Sequence, residues 1–107
     1  MRNNIIISKM LSYTDKVISY CDGLSYAEFS KNQILTEACV FNISQLGELT
    51  TKLDAEFTAE HPELPWHQMK GLRNKIVHDY EGVNLNLVWE IISNDLPKLK
   101  AQLLEIK

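Results

Sequence analysis

The sequence has few cysteines, no long apolar run and no segment that resembles a leader peptide. Cys21 and Cys39 are its only cysteines, and both lie in apolar stretches far apart along the chain. Two thiols are too few for a disulfide framework, so we expect both to be reduced residues of the core. No stretch approaches the roughly 18 apolar residues of a membrane helix, and Ser8 and Lys9 interrupt the apolar triplet near the start. These absences argue against secretion and membrane insertion and favour a cytoplasmic protein.

The chain also lacks the excess of basic residues that a general nucleic-acid-binding surface needs. It carries 11 lysines and arginines against 14 acidic residues, a net charge of −3, so any contact with nucleic acid must be local. Lys70, Arg73 and Lys75 do concentrate in one segment with two histidines nearby, although Asp79 and Glu81 partly offset them. The 107 residues suffice for one hydrophobic core, and we expect a single domain over residues 1–107.

Helical periodicity dominates the apolar pattern, and no segment shows the alternation of a strand. The first predicted helix runs from about Asn4 to Cys21. Its apolar residues cover nearly half of the circumference, more than one packing partner needs. We therefore infer a second contact surface on this helix, for which another subunit is a candidate. Ser25 and Glu28 have the spacing of a capping box, which predicts a short helix there.

The rest of the chain reads as further helices separated by turn residues. Two prolines make the stretch before Trp66 a rigid connector. The expected elements are a helix from about Asn32 to Leu53, a turn or short helix from Asp54 to Glu60, a connector from His61 to Trp66, a third helix from Trp66 or Met69 to Asp79, and a fourth helix capped by Asn84 and kinked or divided at Pro97. The predicted fold is all-α, an antiparallel four-helix bundle with short additional helices.

The stretch from residue 73 to residue 80 is where chemistry departs from the apolar pattern. On a helical wheel, Arg73 falls within the apolar arc of the third helix. A guanidinium facing a core is costly unless it is paired and hydrogen-bonded. Two interpretations stay open: Arg73 extends its head to solvent, or it is recessed, held by a carboxylate and directed into a cleft. An arginine in a cleft can bind phosphate through paired hydrogen bonds.

The second long helix offers polar partners for such an arginine. Asn42 falls at the centre of its apolar stripe and Glu48 at the margin. Asn42 either supports Arg73 or is a structural amide that binds backbone, and Glu48 either pairs with Arg73 or is solvated. Gly47 weakens the helix, so its expected purpose is close approach of another helix.

His78 is the candidate for proton transfer, because an imidazole titrates near pH 7. Asn74 lies four residues earlier and shares its face, where it could orient the ring or contact substrate. His61 and His67 look like connector residues, and the spacing of the three histidines matches no metal motif. One histidine per chain cannot both remove and supply a proton in a cleavage step. A symmetric dimer would bring in a second His78.

The fingerprint R-x4-H-x-Y, formed by Arg73, His78 and Tyr80, resembles that of the HEPN superfamily, and specifically its HepT toxin branch. The resemblance extends over most of the chain: residues 64–66 precede residues 71–74, residues 88–91 lead to residues 95–99, and residues 42–48 also fit. It implies a HEPN-like bundle that dimerises, so that two R-x4-H motifs form one cleft for metal-independent RNA cleavage without a cofactor. By this resemblance Arg73 would stabilise the phosphorane-like charge and His78 would be the general acid or base.

The same resemblance implies a partner and a modification. Members of this branch pair with a small nucleotidyltransferase antitoxin, MNT or MntA, in systems called type VII. The antitoxin adds AMP to the motif tyrosine, which corresponds to Tyr80 here. A competing hypothesis is a non-catalytic module in which Arg73 and His78 hold a nucleotide or the partner. A third is a purely structural dimer.

Overall fold

The computed structural model describes residues 2–76 and 83–107. Within these ranges the fold is all-α, without a strand, as the sequence predicts. The elements are α1 (Arg2–Cys21), α2 (Tyr26–Lys31), α3 (Gln33–Thr50), α4 (Ala55–Glu60), α5 (Trp66–Lys70), α6 (Leu72–Ile76), α7 (Leu85–Glu90), a π-helical segment (Ile91–Asp95) and α8 (Leu96–Ile106). In the part of the chain that the structure describes, no helix is both long and apolar enough to cross a bilayer.

The first helix buries its wide apolar stripe within the chain. α1 packs against both α3 and α8 and also touches the π-helical segment. Its buried side chains are Ile6, Ile7, Met10, Leu11, Thr14, Val17 and Cys21. Each large apolar side chain buried in this way contributes roughly 1.5–3 kcal/mol. Two helices of the same chain therefore provide the second contact surface expected on α1. Tyr20 of the stripe stays 45% exposed, and a contact of α1 with another subunit stays a prediction.

Local capping determines where three helices begin. The Ser25 side chain accepts a hydrogen bond from the Glu28 N–H, and the Glu28 carboxylate accepts one from the Ser25 N–H, so the capping box is present. Asn32 caps α3 by accepting from the Leu35 N–H at 3.0 Å. Asn84 caps α7 in the same way. The predicted starts at Ser25 and Asn84 are confirmed, since a side-chain oxygen satisfies an otherwise unpaired N–H in each.

The predicted third helix is broken within its described part. α5 ends at Lys70, Gly71 adopts φ −89° and ψ 0°, and α6 begins at Leu72. The prediction of one continuous helix over residues 66–76 is wrong, and residues 77–79 of that prediction lie outside the described residues. The Gly71 N–H bonds to the Gln68 carbonyl at 3.2 Å, three residues back. This bond to the residue three back is that of a single 3₁₀-type turn between the two α-helical segments.

Gly47 lets α3 approach this break closely. A Cβ atom at position 47 would lie 2.9 Å from the Met69 carbonyl oxygen and 3.8 Å from the Leu72 Cβ. Only glycine avoids that steric clash with the backbone. The close approach expected from the sequence is therefore observed, and it fixes the position of the α5–α6 junction against the core.

The last helix changes its winding instead of breaking. α7 leads into the π-helical segment, in which the Leu96 N–H bonds to the carbonyl of Ile91, five residues back. Pro97 lies in the first turn of α8. Because proline has no N–H, it cannot continue the regular ladder, and the wider turn before it accommodates that loss. The sequence predicts a kink or division at Pro97 and gives no sign of the π-helix.

One aromatic contact joins α2 to α7, and one contact between thiols joins α1 to α3. The Phe29 ring of α2 lies 5.0 Å from the Trp89 ring of α7, centroid to centroid. Cys21 and Cys39 are both buried and free, and their sulfurs lie 3.6 Å apart between α1 and α3. The prediction of two reduced core thiols is confirmed.

Candidate active site

Arg73 and Asn74 lie on α6, a short helix fixed by its two apolar residues. Leu72 is 8% exposed and Ile76 is fully buried, and they are four residues apart on one face. The Asn84 N–H donates to the Ile76 carbonyl at 3.2 Å, which joins α6 to the start of α7. The core and the next helix therefore both position the segment that carries the predicted arginine.

Arg73 is exposed, so the interpretation of a recessed arginine is not observed in the single chain. Leu72 and Ile76 are the residues of α6 that face the core. Arg73 lies 100° from Leu72 around the helix axis, which carries its long side chain outward. Asn74 and Lys75 are exposed as well. Arg73 and Asn74 are accessible to a large substrate such as RNA.

Asn42 is a structural amide in this chain. It is 7% exposed, and its Nδ2 donates to the Ala38 carbonyl at 2.7 Å within α3. Among the described residues, no hydrogen bond joins Asn42 to Arg73. The bond to its own helix satisfies the buried amide group, as a polar side chain in a core requires. The expectation that Asn42 supports Arg73 is replaced by the alternative that it binds backbone.

Glu48 is exposed on α3, and no ion pair between described residues connects it to Arg73. Gly47 packs against the α5–α6 junction, so Glu48 nevertheless lies on the helix turn nearest the motif. The predicted ion pair with Arg73 is not formed in the single chain. Glu48 is a solvated carboxylate there.

His78 and Tyr80 lie outside the described residues, and so does Asp79. The predicted roles of His78 in proton transfer and of Tyr80 as the modified residue stay predictions. Among the described residues, no group of three or more His, Cys, Asp or Glu side chains is arranged to hold a metal ion.

His61 belongs to a structural cluster at the connector. Its Nδ1 lies 3.6 Å from Glu63 Oε2, and its carbonyl accepts a hydrogen bond from Trp66 Nε1 at 2.8 Å. The Phe57 ring packs against the imidazole at a centroid distance of 4.9 Å. These contacts support a scaffold role for His61. His67 is exposed and lies one residue into α5 instead of in the connector.

Two exposed apolar residues and one carboxylate lie along a line on α3 that runs toward the motif. Ile34 is 82% exposed and Phe41 is 58% exposed, and Glu48 follows at the same spacing of seven residues. Residues seven apart on a helix lie within about 20° of each other, so these three form one line about 21 Å long. We call Ile34, Phe41 and Glu48 the exposed α3 stripe. It ends next to Gly47, where α3 meets the α5–α6 junction.

A groove borders the other side of α6, and sequence reasoning missed it. It has a volume of about 470 Å³ and lies between residues 62–75 and residues 91–102. Lys75 lines it, one residue after Asn74. The sequence places Lys75 in the basic segment, but the groove depends on packing between distant segments, which periodicity cannot indicate.

Comparisons with known proteins agree with this architecture. A family model described as Ribonuclease HepT-like matches residues 10–106. A protein of Caldanaerobacter subterraneus subsp. tengcongensis named "Putative RNase TTE0752" is 34% identical over 101 residues, which cover 88% of this chain and 90% of that protein. "Putative RNase MJ1380" of Methanocaldococcus jannaschii is 31% identical over 93 residues, covering 87% and 85%. No solved structure gives a significant match.

A shorter match carries the family's own name. "Probable ribonuclease HepT" of Thermococcus cleftensis is 35% identical over 57 residues, which are 53% of this chain and 52% of that protein. The family model spans almost the whole chain, and the long relatives align over most of their own length. Given these matches and the helical bundle, the chain is an enzyme of the HepT-like ribonuclease family, within the HEPN superfamily.

Proposed function

We infer that the chain is the toxin of a type VII toxin–antitoxin pair and acts in the cytoplasm as a metal-independent endoribonuclease. In this proposal one HEPN domain pairs with a second copy, and the two sets of Arg73 and His78 line a shared cleft. The observation that carries it is the exposure of Arg73 and Asn74 on α6, beside the place where the exposed α3 stripe ends. RNA is the substrate class that the family match supports.

The chemistry needs two proton transfers and one site for negative charge. Without a metal ion, the nucleophile at hand is the ribose 2′-hydroxyl. Its attack on phosphorus forms the new P–O bond, while the bond to the 5′-oxygen breaks. One His78 removes the 2′ proton as general base, and the partner's His78 supplies a proton to the leaving oxygen. Arg73 donates hydrogen bonds to the phosphoryl oxygens as their charge increases.

The exposed α3 stripe is the surface that we assign to the dimer. Ile34 and Phe41 would become buried against a second copy, which provides the apolar driving force. Glu48 lies at the end of this stripe, beside the motif, and an interface would remove it from water. In that setting Glu48 would orient the partner's Arg73, and Asn74 would support the cleft. α1 is a weaker candidate, because other helices of the chain already cover its apolar stripe.

Purified protein tests the catalytic assignment. We expect cleavage of single-stranded RNA in excess EDTA, and a loss of about 100-fold or more in Arg73→Ala and in His78→Ala. Arg2→Ala is the matched control, since Arg2 is an exposed arginine at the start of α1. Circular dichroism should show unchanged folding in all three variants. Equal cleavage by all of them would contradict the assignment of Arg73 and His78 as catalytic residues, and tracing that cleavage to a contaminant would favour the non-catalytic binding module.

Modification of Tyr80 is the proposed means of neutralisation. AMP on this hydroxyl would bring a negative phosphodiester near Arg73, where it would compete with the RNA phosphate. Incubation with ATP and the cognate nucleotidyltransferase antitoxin should increase the intact mass by whole AMP units. Tyr80→Phe should prevent the increase. Tyr20→Phe is the control, because Tyr20 is 45% exposed on α1 and is therefore available to a non-specific enzyme. A mass increase that persists in Tyr80→Phe would exclude this acceptor.

A further inference from the structure

The groove beside α6 has the form of a small-ligand site. One wall is the connector with α5 and α6, and the other is the π-helical segment with the start of α8. Its volume of about 470 Å³ lies within the usual range of ligand pockets. The floor is apolar and consists of Leu64, Met69, Leu72, Ile91, Leu96 and Leu99.

The rim of the groove is polar and has balanced charge. Lys75 and Lys98 contribute two positive charges, and two carboxylates, Glu63 and Asp95, offset them. The Gln102 Nε2 donates to the Glu63 carbonyl at 2.9 Å, which fixes the orientation of that amide. A site with no excess of positive charge is poorly suited to an isolated anion. It suits a flat, mostly apolar ligand with hydrogen-bonding edges.

The position of the groove connects it to the catalytic motif. Lys75 projects from α6 about 200° around the axis from Arg73, so the two side chains leave the same short helix on opposite sides. An α-helix with its side chains is only about 10 Å across. An extended strand held by Arg73 can therefore pass around α6 and reach Lys75 and the groove.

The opposite wall is formed in part by the π-helical segment, which contributes Ile91 and Asp95. π-helical turns are rare and occur often at functional sites. Here the wider turn lies in the wall of a concave surface.

We propose that this groove binds an unpaired nucleobase of the RNA substrate that flanks the phosphate held by Arg73. The apolar floor contacts the ring face, Gln68 and Gln102 bind the base edge, and Lys75 contacts the adjoining phosphate. A base stacked and paired in a duplex cannot enter, so the enzyme acts on single-stranded RNA or loops. The proposal rests on the proposed ribonuclease function and specifies its substrate class.

Kinetics with matched variants test the groove. We expect single-stranded RNA to be cleaved at least tenfold faster than the same sequence in a duplex. Gln102→Ala and Lys75→Gln should each raise KM about five- to tenfold, the effect of one lost hydrogen bond or phosphate contact. Gln33→Ala and Lys9→Gln are the controls, since both residues are exposed on other helices. If the groove variants behave like these controls while Arg73→Ala abolishes cleavage, the groove proposal is wrong and the ribonuclease function stands.

A binding experiment does not depend on cleavage. Nucleoside monophosphates titrated into isotope-labelled protein should shift the side-chain amide resonances of Gln68 and Gln102, in Arg73→Ala as well as in the wild type. Inorganic phosphate alone should leave these amides unmoved. Shifts caused equally by phosphate, or no shifts at all, would overturn base binding. If Arg73→Ala cleaves RNA normally, the ribonuclease site is misassigned, and the titration still decides the groove.

Discussion

At the scale of single residues, the buried thiols of Cys21 and Cys39 predict how the stability of the fold depends on pH. Burial, with a smaller contribution in the same direction from the neighbouring Cys21, raises the pKa of Cys39 to about 12. Burial also raises the pKa of Cys21, while its hydrogen bond with Cys39 lowers it. Both groups hold their protons more tightly in the folded chain than in the unfolded chain, where a thiol has its ordinary pKa of 9.0.

The stability that these thiols contribute is therefore complete below about pH 9 and is lost as pH rises toward about 12. We expect the free energy of unfolding in urea to fall between pH 8 and pH 10.5. The fall should be smaller in the double variant Cys21→Ala/Cys39→Ala, which retains every lysine and tyrosine that titrates in the same range. An equal fall in both proteins would show that the thiols do not contribute.

Residue-scale reasoning from the sequence succeeded where the interaction is local. Ser25 and Asn84 were predicted to cap helices because their partners lie three residues away. Arg73 and Asn42 were open questions, because their surroundings depend on which helix faces them. In the structure Arg73 is exposed, and Asn42 is hydrogen-bonded to its own helix. The contact between Cys21 and Cys39 could not be predicted from the sequence either, since it joins two different helices.

At the scale of elements, Gly47 gives the sharpest prediction. Gly47→Ala would place a Cβ atom 2.9 Å from the Met69 carbonyl, so α3 and the α5–α6 junction must separate. Alanine gains about 1 kcal/mol in helix propensity, but overpacking against backbone costs typically 1–3 kcal/mol. We expect a net loss of up to about 2 kcal/mol in urea unfolding, with reduced RNA cleavage because α6 and Arg73 shift.

Gly71→Ala is the matched comparison for this substitution. A Cβ atom at position 71 meets nothing closer than the Gln68 carbonyl at 3.7 Å, which is an ordinary contact. Its backbone also has a negative φ that alanine tolerates. We expect its stability to change by less than about 0.5 kcal/mol. Equal losses in the two variants would mean that backbone approach at Gly47 does not matter.

The helices were predictable from period and caps, but two changes in their winding were not. The break at Gly71 accompanies a close contact with Gly47, a residue far away in the chain. The π-helical segment before Pro97 replaces the expected simple kink, and its wider turn pairs the Leu96 N–H with the Ile91 carbonyl. Both features shape the candidate site, since they set the walls of the groove.

At the scale of the whole molecule, the arrangement of exposed apolar residues bears on how two copies meet. The sequence pointed to the first helix because its apolar stripe is wide. The bundle covers that stripe with α3 and α8. The residues left uncovered on α3 are Ile34 and Phe41. They could not be identified from periodicity, because a helix that packs on several neighbours is apolar on more than one side.

Phe41→Lys tests this surface in solution. Phe41 and Ile5 are each 58% exposed, so Phe41→Lys and Ile5→Lys introduce the same charge at equally accessible apolar positions on α3 and α1. We expect the wild type to sediment as a dimer, Phe41→Lys to sediment as a monomer, and Ile5→Lys to remain dimeric. Cleavage should fall with the dimer in Phe41→Lys, because a single copy presents one His78 to a reaction that moves two protons. If Ile5→Lys is a monomer and Phe41→Lys is a dimer, the dimer interface lies on α1. The exposed α3 stripe would then not form the dimer that completes the catalytic cleft.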